Sequence, residues 1–232
     1  MVGSDSVLQR KLLGLLERSG GDSVLSLFYS ALPAVVRLGS AFLQLLATIL
    51  IARTLGAREA GIYFFWTVAM LEVGQVATFG LDRLALQQVP RTREKPGGFL
   101  RFLAPLRGTA LLLSIVGATL LCGSAILFQS DSEWPGWWYV LPFLAVSGVT
   151  LSMVNSEAAT GLERPVFAIL YRHTFSVLTV LAVVVISGKN LTKEVALAAY
   201  AGAFFLSGFG ALVGPGMRGE GRVLELPGRD RF

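Results

Sequence analysis

Six stretches dominated by Leu, Ile, Val, Ala and Phe follow one another along this chain, at residues 28–52, 60–88, 102–128, 137–160, 165–187 and 194–214. A helix that crosses a bilayer needs about 20 mostly apolar residues at about 1.5 Å rise each. Gly108 to Ser130, Trp134 to Ser156 and Val195 to Met217 contain no charged residue at all. The breaks pair charge with helix-ending Gly or Pro: Gly56 with Arg58 and Glu59, Pro90 to Gly98, Asp131 to Gly136, Gly161 to Pro165 and Gly188 to Glu194. The pattern predicts an all-α, polytopic transmembrane bundle of six spans over residues 28–214. A 1–27 segment precedes it and a polar tail, 215–232, follows. In the first segment Leu8, Leu12, Leu15 and Leu16 beside Arg10, Lys11 and Arg18 predict a short amphipathic helix on the headgroups, with a solvated extension as the alternative. No small-residue cleavage pattern marks a signal peptide. The Gly- and Arg-rich tail is expected to be disordered.

Charge gives the bundle a direction. With the N-terminus on one side, all but five of the 20 Lys and Arg residues fall on that side, including Arg83, Arg91, Arg93, Lys95, Arg101, Arg107, Arg164 and Arg172. Only Arg53, Arg58, Lys189 and Lys193 fall on the other, and Arg37 lies within the first span. The positive-inside rule then places both termini in the cytoplasm of a multi-pass protein of the inner (plasma) membrane. Trp134, Trp137, Trp138 and Tyr139 are expected to anchor the outer interface.

Composition narrows the classes. A chain that is 53% hydrophobic and only 15% charged, with mean hydropathy +0.64, does not resemble a water-soluble domain. Its net charge of +5 does not imply nucleic acid, since the cations sit in short loops beside apolar helices rather than in one patch. A single cysteine, Cys122, and a single histidine, His173, supply no disulfide and no metal-ligand set, so no metal or other cofactor is expected.

Polar side chains within the spans carry the candidate chemistry, because a charge in hydrocarbon costs about 2.5 kcal/mol or more and normally faces protein or water. In the first span Pro33, Arg37, Ser40, Gln44 and Thr48 recur at helical intervals on one stripe. The second span repeats this with Glu72, Gln75 and Asp82, the fourth with Ser147, Thr150 and Glu157 near Asn155, and the fifth with Arg172, Ser176 and Thr179. The third and sixth are drier and are expected to turn to lipid or neighbours. Four polar stripes are expected to line a hydrophilic interior, as in a transporter or channel. A fold-fixing Arg37–Glu72 pair, or snorkelling of Arg37, is the structural alternative. Glycines such as Gly117, Gly202, Gly208 and Gly210 are candidates for close helix approach.

From Ile49 to Arg91 the chain resembles the opening of the polysaccharide flippase family, within the multidrug, oligosaccharidyl-lipid and polysaccharide exporter superfamily. The matching residues are Ala52, Arg53, Leu55 and Gly56, then Gly61 and Tyr63, then Phe79, Gly80 and Leu81 before the basic loop of Arg91, Arg93 and Lys95. The resemblance implies a non-enzymatic transporter that moves lipid-linked oligosaccharide or polysaccharide precursors across the membrane by alternating access, with two lobes around a central cavity. The chain supplies spans for one lobe, so a second copy or a C-terminal lobe would complete it, or the sequence is a truncated product. On this reading Arg37 binds substrate phosphate, while Ser40, Gln44, Gln75 and Asn155 bind sugar hydroxyls. Glu72 and Glu157 balance charge or carry a coupling ion. Membrane lipids are the other expected partners. Alternatives are a non-transporting structural or regulatory subunit, an inactive remnant, and a membrane enzyme acting on lipid-linked glycans, which would be expected to carry a large outer loop.

Overall fold

In a computed structural model of the chain, residues 5–92, 98–128, 136–162 and 164–213 are described, and among them only helices and short turns occur. The helices are α1 (Asp5–Ala77), α2 (Leu81–Thr92), α3 (Gly98–Phe128), α4 (Val140–Gly161), α5 (Pro165–Ile169), α6 (Phe175–Ser187) and α7 (Lys193–Val213). The chain forms two compact units, Met1–Gly39 and Ser40–Phe232. The first is the leading part of α1, with Pro33 inside the helix and Arg37 exposed. The predicted tail 215–232 and most of the Asp131–Gly136 loop lie outside the described residues, as do the side chains of the predicted amphipathic segment.

Among the described residues three helical segments are long and apolar enough to cross a membrane: Ala31–Ala77, Arg101–Leu127 and Val140–Gly161. A fourth is added if Pro165–Arg172 and Phe175–Asn190, bent by 41°, count as one span. The expectation of six spans is corrected in two places. At the first break it holds: α1 is two helical arms on either side of Gly56 (φ +76°, ψ 168°), a backbone conformation that glycine adopts without a Cβ clash. Arg53, at the end of the arm before that break, sits where a cation complements the helix dipole. The expected 60–88 span stops at Ala77, where a turn with positive φ at Phe79 and Gly80 leads into the separate α2. Thr78 holds that turn by donating its hydroxyl to the Gln75 carbonyl at 2.8 Å. The 165–187 span, in turn, is interrupted by a π-helical turn, Leu170–Thr174.

Within Ser40–Phe232, α4 is the central element. Nearly all of it is buried from Leu141 to Ala159, and α2, α3, α5 and α7 all pack on it. The closest approach is to α7: a Cβ on Gly148 would lie 2.4 Å from the Phe204 carbonyl carbon, and one on Gly208 would lie 2.5 Å from the Gly148 oxygen. Two small residues therefore let the backbones touch. Gly74 of α1 is pressed on Val149 in the same way. The third and sixth stretches, expected to turn to lipid or neighbours, supply direct neighbours of the central helix.

Contacts sort by end. At one end Lys193 Nζ pairs with Glu59 Oε2 at 2.7 Å, and the Cys122 thiol donates to the Tyr139 carbonyl at 3.7 Å. Trp138, expected as a headgroup anchor, is instead buried in the apolar core with Ile51, Tyr63 and Leu191, leaving Tyr139 exposed. At the other end Gly161 lies against Leu86 and Pro90 of α2, where Ala85 and Val89 join Leu103 and Leu106 of α3 and Ala158 of α4 in a second apolar cluster.

Candidate functional site

The predicted polar residues have three different fates. Asn155 is fully buried and belongs to the packing. Its Oδ1 accepts from Arg107 Nε at 2.9 Å, and its Nδ2 donates to the Gly208 carbonyl at 2.9 Å, so one amide ties α3, α4 and α7. Glu157 is half-buried and accepts from Arg172 Nη1 at 3.1 Å, fastening the end of α4 to the π-helical turn. Ser40 is buried, with its Oγ 2.6 Å from Thr174 Oγ1 of the same turn. Tyr171 in that turn accepts a 2.6 Å hydrogen bond at its carbonyl from Ser207 of α7. The turn is therefore fixed from α1, α4 and α7 together.

Glu72 and Gln75 are exposed. They lie on one stripe of α1 with Gly61, Phe65, Val68 and Val76, all likewise exposed, while Ala60, Tyr63, Trp66, Met70 and Ala77 turn to the core. The four expected stripes therefore do not converge on one polar interior inside this unit. Asn155 points into packed protein, and Glu72 and Gln75 point away from it. Arg37, in the other unit, is exposed as well.

Gln44 takes part in a third arrangement. It stands with Thr48 at the exposed rim of a cavity of ≈ 190 Å³ enclosed by the two arms of α1 on either side of Gly56, together with α6 and α7. Tyr63, Thr67 and Ser176, all buried, and the half-buried Tyr200 form much of its wall. Tyr200 donates its hydroxyl to the Thr67 carbonyl at 3.2 Å, and Thr67 donates its own to the Phe64 carbonyl at 3.0 Å. Ser176, 1% exposed, has no hydrogen-bond partner for its hydroxyl among the described residues.

Two features escaped the sequence reading. Arg107, counted there among loop cations, lies within α3, and its Nη2 is buried without a partner among the described residues. An arginine nine residues after the start of a helix whose other charge, Arg101, lies near that start was the available signal. The cavity had none, because its wall joins residues from four separate stretches. Among the described residues no three His, Cys, Asp or Glu side chains cluster as metal ligands would. No protein-family profile matches the sequence, and neither a curated protein nor a solved structure is similar to it.

Proposed function

We propose that the chain is one bundle of a membrane transporter, with the exposed Glu72–Gln75 face of α1 forming one wall of a cleft that a second bundle completes. The observation that carries this reading is the placement of a carboxylate and an amide on an outward stripe of an otherwise apolar helix. Facing acyl chains, such groups cost several kcal/mol or must snorkel; facing a water-containing cleft between bundles, they cost little. The completing bundle is a second copy of this chain or a C-terminal lobe. The resemblance at Ile49–Arg91 suggests lipid-linked oligosaccharide or polysaccharide precursors as cargo, moved by alternating access across the plasma membrane with both termini cytoplasmic.

Six crossings fit this reading. A 47-residue helix would be about 70 Å long, more than twice the roughly 30 Å hydrocarbon thickness, so the Gly56 break divides Ala31–Ala77 into two crossings. The Lys193–Glu59 pair favours a common side for the Gly56 turn and the start of α7, and the Arg107–Asn155–Gly208 chain favours the opposite side for the start of α3 and the ends of α4 and α7.

Reconstituted vesicles carrying a fluorescent lipid-linked oligosaccharide test the transport reading by protection of the dye from an external quencher. The full chain is expected to move the dye between leaflets, and Glu72→Leu to abolish the movement. Movement no faster than in empty vesicles would overturn it. A second reading, a structural subunit that moves nothing, is favoured by the fully packed α4 and its internally bonded Asn155.

A further inference from the structure

We infer that the cavity between the two arms of α1 and helices α6 and α7 is a binding site for an uncharged lipid alcohol taken from the bilayer. All of its lining residues lie within Ser40–Phe232, so the binding holds whether or not a second bundle completes a cleft.

Charge sets the class of ligand first. The lining contains no Asp, Glu, Lys, Arg or His. An ionised headgroup placed there would lose its hydration with no counter-charge, which strongly disfavours phosphates, carboxylates and ammonium groups. The shape of the polarity sets the rest. Tyr63, Phe64, Val180 and Phe204 give the wall a mainly apolar character. An apolar body with one polar point fits better.

The polar point is Ser176. A buried hydroxyl without a partner is a cost that native proteins generally avoid, and a ligand oxygen would remove it. Tyr200 uses its hydrogen toward Thr67 and keeps its oxygen lone pairs as acceptors on the same wall. A ligand hydroxyl both accepts, from Ser176, and donates, to Tyr200 or to the Gln44 amide oxygen at the rim. An ester or ketone only accepts. The rim residues Gln44, Thr48 and Val68 are exposed, which leaves an entrance from the membrane for the hydrocarbon tail.

A larger groove, ≈ 430 Å³, runs along Phe175, Thr179, Leu206 and Ser207. Ser207 donates to the Tyr171 carbonyl and Thr179 to the Phe175 carbonyl, and among the described residues that groove holds no buried polar side-chain atom without a partner. The smaller cavity is distinguished by its unpaired Ser176, not by its size.

Photolabelling of the full chain in nanodiscs tests the assignment, using a diazirine-bearing fatty alcohol, the matching hydrocarbon without the hydroxyl, and the matching fatty acid. Peptides containing Tyr63–Thr67 and Ser176–Val180 are expected to take up the alcohol about fivefold more than the hydrocarbon, the ratio of one net hydrogen bond. Ser176→Ala should bring the alcohol down to the hydrocarbon's level with little change in thermal stability, and Ala47→Phe, which fills the cavity, should abolish labelling there. Equal labelling by alcohol and hydrocarbon, labelling by the acid at neutral pH as strong as by the alcohol, or no labelling of these peptides by any probe would each overturn it.

Discussion

Helix α4 and the α1 arm that follows Gly56 are both largely apolar helices interrupted by amides, hydroxyls and carboxylates, yet the polar groups in their later turns are handled in opposite ways. In α4 the Asn155 amide is bonded on both sides within the protein, and Glu157 is paired with Arg172. In the α1 arm Glu72 and Gln75 face outward, on the side away from the core residues Tyr63, Trp66 and Met70. The same kind of sequence signal therefore marks an internal fastening in one helix and an unfilled face in the other. Neighbours decide which: α4 is surrounded on nearly all sides, so its polar atoms had to be satisfied locally, whereas one face of the α1 arm has no partner in this unit.

That contrast is most severely challenged at the contact of α4 with α7. Gly148→Val would drive a branched side chain into the Phe204 and Phe205 backbone, which cannot yield as a side-chain tip could. It is expected to cost about 3 kcal/mol or more, seen as loss of monodisperse protein in mild detergent. Next comes Asn155→Ala, which leaves both Arg107 Nε and the Gly208 carbonyl without their partner and should lower stability by about 2–3 kcal/mol in thermal unfolding. Replacing Arg107 as well, by Leu, should recover part of that loss, whereas strictly additive losses would show that the two side chains act separately. The Glu157–Arg172 pair is worth less, because its side chains are 16% and 41% exposed: Glu157→Gln is expected to cost under about 1 kcal/mol. Smallest of all is Glu72→Gln, with a change in stability within about 0.5 kcal/mol, since the group is exposed on the face turned from the core. A large loss there would mean that Glu72 fastens the fold as Asn155 does.

The helices themselves were legible in the sequence. Gly56 with Arg53 marked a real break, and α3, α4 and α7 fall within a few residues of their expected bounds. What the hydropathy pattern could not give was the path of the chain at Thr78–Gly80 and at Leu170–Thr174, because both breaks are local backbone conformations inside apolar stretches. The site was less legible, and the hydroxyls show why. Thr48, Ser147, Thr160 and Thr179 each donate to the carbonyl four residues earlier in their own helix. A serine or threonine satisfied in this way needs no polar surroundings, so its presence on a stripe says little about where water is. Glu, Gln and Asn lack that ready local solution. Of the predicted site residues, Asn155 and Glu157 accordingly found partners on other elements, while Glu72 and Gln75 were left facing outward.

The outward face can be read most directly with spin labels at positions 68, 72 and 75 of the full chain in bilayers, compared with Leu112 on α3, which is 67% exposed. A cleft holding water predicts collisions with a water-soluble nickel complex that exceed those with oxygen at all three α1 positions, and the reverse at 112. Oxygen-dominated collisions at 68 and 72, matching those at 112, would mean that lipid covers this face and that no second bundle completes it.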